Sequence, residues 1–143
     1  MNYTFRKVRA TDIEQVYNLI CELEERKLDR ENFYTIYTHN LNDLTTCAWV
    51  CCIENEFIAY GSVHIQKLLH HAGKVAEIQE LFVKEPYRKV GIGKNLVDYA
   101  EAWAKEQGAV AIEVSTNQKR IQAHKFYERE NYTKTHFKLT KTF

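Results

Sequence analysis

Proline occurs once in this chain of 143 residues and glycine only five times. Such scarcity excludes collagen-like and low-complexity organisation, and it argues against a turn-dense all-β architecture. Charge of one sign is missing too. Lys and Arg number 20 against 19 Asp and Glu, a formal net charge of +1, so no global field draws the chain to nucleic acid. No uncharged apolar run approaches the ~18 residues of a membrane helix; Leu44–Ile53 and Phe57–Gln66 are strand-sized. Met1 to Thr11 has no apolar stretch of signal-peptide type. The four cysteines (Cys21, Cys47, Cys51 and Cys52) show no CxxC spacing, which reads as free thiols in a reduced compartment. The cytoplasm is the expected location.

What is present suffices for a core. Hydrophobic residues make up 45% of the chain, and the length predicts one domain over residues 1–143 with no need of a disulfide or metal staple. Tyr3–Val8 alternates as a first strand. Thr11 and Glu14 have capping-box spacing ahead of a helix with Ile13, Val16, Tyr17, Ile20 and Leu23 on one face. Glu31–Leu41 reads as a second helix. Cys47–Ile53 and Phe57–Lys67 flank Glu54-Asn55-Glu56 as a hairpin, and Lys74–Val83 returns after a turn at His70–Gly73. Beyond Pro86 the period becomes helical through Ile92, Leu96, Ala100, Trp103 and Ala104, with Gly108 as a C′ stop. A buried strand Ala109–Val114, a helix Lys119–Glu130 and a last strand Tyr132–Leu139 complete a mixed α/β domain around a partly antiparallel sheet.

Two of the scarce glycines fall together, in Arg88-Lys89-Val90-Gly91-Ile92-Gly93-Lys94, between a strand end and a helix start. Glycine there lets backbone N–H groups turn toward a ligand, and a helix N-terminus adds unpaired donors and partial positive charge. The arrangement suits a phosphate or pyrophosphate, although a glycine-rich turn also serves purely structural ends. A P-loop is excluded because Asn95 follows Gly93-Lys94 and position 88 is not glycine. The dinucleotide fingerprint fails at Leu96, where its third glycine belongs.

Arg88-x-x-Gly91-x-Gly93, preceded by Leu81-x-Val83, resembles the R/Q-x-x-G-x-G/A pyrophosphate loop of the GCN5-related N-acetyltransferases (GNAT). Ser115-Thr116-Asn117 and Ala123-His124-Lys125-Phe126-Tyr127 match a second block of that family, and the element order matches from end to end. The stretches Val16–Leu23, Glu77–Leu81, His64-x-Gln66 and His70-His71 look more narrowly like the aminoalkylphosphonate N-acetyltransferases. The resemblance implies a mostly antiparallel sheet of 6–7 strands, splayed between the fourth and fifth, with about four helices. It implies acetyl-CoA as cosubstrate, held by Leu81, Phe82, Val83, the loop Arg88, Lys89, Val90, Gly91, Ile92, Gly93 and Lys94, and by Asn117 and Lys125. A small primary amine is the implied acceptor, and the narrower family is associated with a divalent metal. Lys89 departs from the family pattern where a glycine is common, as does Asn131 after the last helix.

Acetyl transfer to an amine requires a base, an oxyanion site and support for the leaving thiolate. The resemblance matches Glu77 to the base position, with Glu80 in reserve, and Tyr127 to the tyrosine beside the CoA sulfur. Strand alternation puts Glu77, Gln79 and Leu81 on one face before any bulge, and backbone N–H groups near Leu81–Phe82 would hold the oxyanion. His64, Gln66, His70 and His71 are candidates for acceptor or metal contacts; loop histidines are also often merely solvated. Asn117 serves equally well as a helix cap. Other acceptors (polyamine, amino acid, antibiotic, protein amine), a non-catalytic CoA-binding module and a homodimer remain open at this level.

Overall fold

The computed structural model describes residues 2–143. Its strands are β1 (Thr4–Lys7), β2 (Thr46–Ile53), β3 (Glu56–Leu68), β4 (Gly73–Val83) and β5 (Ala109–Val114), and its helices are α1 (Ile13–Glu24), α2 (Arg30–Leu41), α3 (Ile92–Glu106) and α4 (Ile121–Arg129). The strands lie in sequence order in one sheet. Pairs β1–β2, β2–β3 and β3–β4 are antiparallel and β4–β5 is parallel.

Side-chain alternation splits the core into two layers. Trp49, Cys51, Ala59, Val63, Ala76 and Ile78 face α3 and α4, whose Leu96, Val97, Trp103 and Tyr127 close that layer. Val50, Cys52, Tyr60 and Phe82 face Val16, Leu19 and Ile20 of α1 and Tyr37 of α2. The neighbours Cys51 and Cys52 thus point to opposite faces, and all four cysteines are free thiols.

Several expectations are corrected. The sheet has five strands among the described residues, not 6–7. Residues 133–143 form no strand, because their alternating pattern finds no partner within the chain. The strand β5 is not buried: it is an edge, with Val110 64% exposed. The Thr11–Glu14 capping box does not form. Asp12, 4% exposed, accepts the Arg9 N–H at 2.8 Å and a two-pronged bond from Arg6, while Glu14 turns outward to Arg30 and Tyr34. A buried carboxylate that accepts a guanidinium and an N–H outcompetes a solvated Thr–Glu pair. Helix α2 starts after Asp29, whose side chain accepts the Asn32 N–H at 2.7 Å. Gly108 (φ 82°) stops α3 in the left-handed region as expected, and Asn131 (φ 70°) does the same after α4.

Two irregularities in β4 position the site. Opposite β3, Ser62 pairs with Glu80 but Val63 pairs with Ile78, so Gln79 is an extra residue, a β-bulge. Opposite β5, pairing ends at Ile78–Val114. Beyond that point Gln79–Val83 runs without a β5 partner, and the sheet is open between β4 and β5.

Candidate active site

The bulge inverts the parity expected for β4. Ala76 and Ile78 face the α3–α4 layer before it and Leu81 and Val83 after it. Leu81 therefore does not share a face with Glu77; its side chain lies against Gly61 beneath α3. Glu77 and Glu80 instead share the α1–α2 face with Phe82. Cross-strand partners extend this polar surface: His64 opposite Glu77 and Ser62 opposite Glu80, with Glu113 of β5 opposite Glu77 on the other side.

The two carboxylates are held differently. The hydroxyl of Ser62, a residue 5% exposed, donates to a Glu80 carboxylate oxygen and accepts the Glu80 backbone N–H at 3.2 Å. Serine thus clamps the bulge and ties down one Glu80 oxygen. Glu77 has a looser setting: Ser115 Oγ approaches its Oε2 at 3.4 Å. Glu77 as a residue is half-buried. Glu77 and Glu113 side by side make a surface that attracts an ammonium group.

Strand alternation also decides which N–H groups face the opening. Lys84 N–H donates to the Ile58 carbonyl of β3 at 2.9 Å, so Phe82, two residues earlier, also points its backbone at β3. The groups left facing the gap belong to Leu81 and Val83. Arg88 Nε binds the Val83 carbonyl there at 2.7 Å, and its guanidinium lies 5.6 Å from the Phe82 ring centroid. Phe82 N–H is thus withdrawn from the open edge to which sequence reasoning assigned it.

The glycine loop reaches α3 through two left-handed residues, Lys89 (φ 67°) and Gly91 (φ 93°). Gly91 is the N-cap, and no side chain caps the helix. The N–H groups of the first turn, at Ile92, Gly93 and Lys94, are thereby left without helical partners. Gly93 packs against α4: a Cβ there would meet the Phe126 ring at 3.4 Å, a close but ordinary van der Waals contact. Lys94 is committed elsewhere, to Asp98 at 3.1 Å and Glu130 at 3.8 Å. Lys89 and Val90 are exposed at the loop surface.

Tyr127 belongs to the α3–α4 layer, on the face of the sheet opposite Glu77. Its ring packs on Phe126 and Tyr132, with centroids at 5.0 and 5.6 Å, and the residue is 8% exposed. Burial pushes its phenol up to about 12. Among the described residues no buried side-chain polar atom lacks a partner. The Tyr127 hydroxyl bonds to no protein group, so it is not fully sealed from solvent. Asn117 Oδ1 accepts the Lys119 N–H at 2.9 Å and its carbonyl meets His124 Nε2 at 2.8 Å. It shapes the approach to α4 but is not the cap, which is Arg120. Lys125 is exposed on α4.

The histidine candidates separate. His64 lies beside Glu77, and Gln66 follows two residues along β3. His70 and His71 lie in the exposed turn at the far end of the hairpin, their rings 4.5 Å apart. Among the described residues no three His, Cys, Asp or Glu side chains converge as a metal site, so the donor set does not fit the expected divalent metal. Sequence reasoning missed Ser62 and Glu113. A serine inside an apolar strand and a glutamate in Ala109–Val114 were visible, but only strand pairing shows which carboxylate each one meets.

A sequence profile of the acetyltransferase (GNAT) family matches residues 13–132. The chain belongs to that family. A 41% identity over 136 residues, covering 95% of this chain and 88% of the other, links this acetyltransferase to the aminoalkylphosphonate N-acetyltransferase of Salmonella typhimurium. Its fold is shared with a crystal structure described as a transcriptional regulator from Bacillus halodurans (TM-score 0.90, 23% identity, 99% of this chain and 100% of that one). The same holds for an aminoglycoside N-acetyltransferase in complex with CoA (TM-score 0.90, 14% identity, 99% and 95%). This chain is accordingly a GNAT N-acetyltransferase, and no helix among its described residues is long and apolar enough to cross a membrane.

Proposed function

We propose that this GNAT enzyme transfers acetyl from acetyl-CoA to the primary amine of a small aminoalkylphosphonate by direct attack in a ternary complex. The observation that carries the mechanism is the break in β4–β5 pairing just past Glu77, with the Glu77 carboxylate on one face of the sheet and the Tyr127 phenol in the layer on the other. Similarity to the Salmonella enzyme supports the acceptor class.

The pyrophosphate is received by the uncapped first turn of α3, with Lys89 at the loop surface, while Arg88 anchors the loop to Val83. The pantetheine arm runs along the open edge of β4 and takes the backbone groups of Leu81 and Val83 as an added strand would. The acceptor enters from the α1–α2 face, where Glu77 and Glu113 draw its ammonium group. An alkylamine titrates near ~10.4, so at neutral pH roughly one molecule in a few thousand is nucleophilic. Glu77 removes the proton, and Glu80, clamped by Ser62, keeps the bulge open. The oxyanion is stabilised by N–H groups on the gap side of β4. Tyr127 donates a hydrogen bond to the departing sulfur; a phenol near 12 stays protonated across the working range but does not fully ionise to protonate a thiolate of ordinary basicity.

The test is a thiol-release assay with acetyl-CoA against aminophosphonates, polyamines and amino acids, with and without divalent metal. Turnover highest with aminophosphonates supports the reading; a better polyamine or amino acid substrate replaces the acceptor class. Glu77→Gln is expected to lower kcat at least ~100-fold, the scale of general base catalysis, most severely at low pH. An unchanged pH–rate profile removes Glu77 from the base role.

A further inference from the structure

A phenol whose hydroxyl has no protein partner is aimed by its ring and its helix alone. Tyr127 is such a phenol among the described residues. Its helix gives little anchorage, because α4 is short and Tyr127 is its one buried residue. The ring lies edge-on against two others, Phe126 at 5.0 Å and Tyr132 at 5.6 Å. Phe126 rides on the same helix. Tyr132 is fastened to a different one: its hydroxyl donates to Glu101 Oε2 of α3 at 2.9 Å. Burial, and after it that carboxylate, push the Tyr132 phenol up, so it stays a donor across the working range.

The way α4 ends brings Tyr132 to Tyr127. With Asn131 at φ 70°, its N–H reaches the Glu128 carbonyl at 3.0 Å while the Tyr132 N–H reaches the Tyr127 carbonyl at 2.9 Å. This is the Schellman pair of bonds, which lays the second residue past the cap over the residue five positions earlier. Tyr132 is therefore tied to Tyr127 twice, by backbone and by ring. A further link joins the helices: Lys94, in the first turn of α3, lies 3.8 Å from Glu130, the C-cap of α4. Helix α3 thus presents its first turn to the glycine loop and, further along, holds the ring that packs on Tyr127.

We infer that Glu101 and Tyr132 are positioning residues for acetyl transfer: their hydrogen bond fixes the Tyr127 phenol relative to the α3 turn that receives the cofactor. The inference rests on the role at the departing sulfur proposed above for Tyr127. A group that must meet one sulfur atom has to be held within ~0.5 Å of its productive place. A phenol with no partner for its hydroxyl takes that precision from the ring beside it, and the ring beside it takes its own from Glu101.

Steady-state rates are measured with acetyl-CoA and whichever aminophosphonate, polyamine or amino acid gives the highest thiol release. Tyr132→Phe and Glu101→Ala are expected to lower kcat ~10-fold or more, toward the ~100-fold of a 1 Å misplacement, and by no more than Tyr127→Phe does. KM for acetyl-CoA should stay nearly unchanged. Glu101→Gln keeps an acceptor oxygen and is expected to restore most of the rate. In a Tyr127→Phe background, Tyr132→Phe and Glu101→Ala should cause no further loss, because the group they aim is gone. A packing role alone would lower the thermal midpoint in both backgrounds and leave kcat intact at temperatures well below it. Full rate in Tyr132→Phe, a Glu101→Gln enzyme as slow as Glu101→Ala, or losses that multiply in the double variants overturn the positioning role. If Tyr127→Phe itself keeps full rate, the role at the sulfur falls and the positioning role with it. If Tyr127→Phe is slow and Tyr132→Phe is not, the positioning role falls alone.

Discussion

Lys89 offers a test in which stability and cofactor binding should move in opposite directions. Its backbone sits at φ 67°, a conformation that costs an L-residue with a Cβ roughly 1–2 kcal/mol. Lys89→Gly removes that strain but adds ~0.5–1 kcal/mol of unfolded-state entropy. The net expectation is a gain of about 0.5–1 kcal/mol, or roughly 2–4 °C in thermal midpoint for a chain of this size. The same change deletes an exposed cation beside the first turn of α3. An exposed charge pair is worth ~0.2–1 kcal/mol, so KM for acetyl-CoA should rise about 1.5–5-fold, more at low salt, with kcat little changed. Calorimetry and steady-state kinetics over a salt series read both effects. A lower midpoint would refute the strain argument, and a salt-independent, unchanged KM would show that Lys89 does not meet the pyrophosphate.

Three further substitutions probe other joints. Tyr127→Phe should lower kcat with KM for acetyl-CoA and thermal midpoint nearly unchanged, because the lost hydroxyl bonds to no protein group; the alkaline limb of the rate profile below about pH 11 should not move, since the phenol titrates near 12. Ser62→Ala removes the clamp on Glu80 and should cost about 1–3 kcal/mol by denaturant unfolding together with a loss of kcat; a variant as stable and active as the parent would show that the bulge holds itself. Asp12 is pulled up by burial but pulled down further by Arg6 and the Arg9 N–H, so its carboxyl sits below the usual range. A lowered folded value means stabilisation that is full above ~pH 4 and is lost as pH falls through the folded value. Asp12→Asn should therefore cost about 1.5–3 kcal/mol at neutral pH and flatten the acid limb of the stability curve; equal acid sensitivity in both proteins would assign that limb to other groups.

Local pattern reached far in this protein. The Gly91–Gly93 pair and the apolar period from Ile92 to Ala104 are short-range signals, and the loop and α3 stand where they indicate. The left-handed turns at Gly108 and Asn131 were equally legible, because a positive φ is a property of one residue. The sequence by itself determined the order of the α and β elements, the glycine loop before α3 and the family resemblance. Tertiary structure decided what those elements meet. A single extra residue at Gln79 moved Leu81 away from Glu77 and brought Glu80 to it, since strand parity is inverted by any insertion. Arginine at position 6 claimed Asp12, and the Thr11–Glu14 cap gave way to a buried ion pair. The strand expected at Tyr132–Leu139 has the right alternation but no partner within its own chain. Strandedness is a relation between two edges, and one segment specifies only half of it.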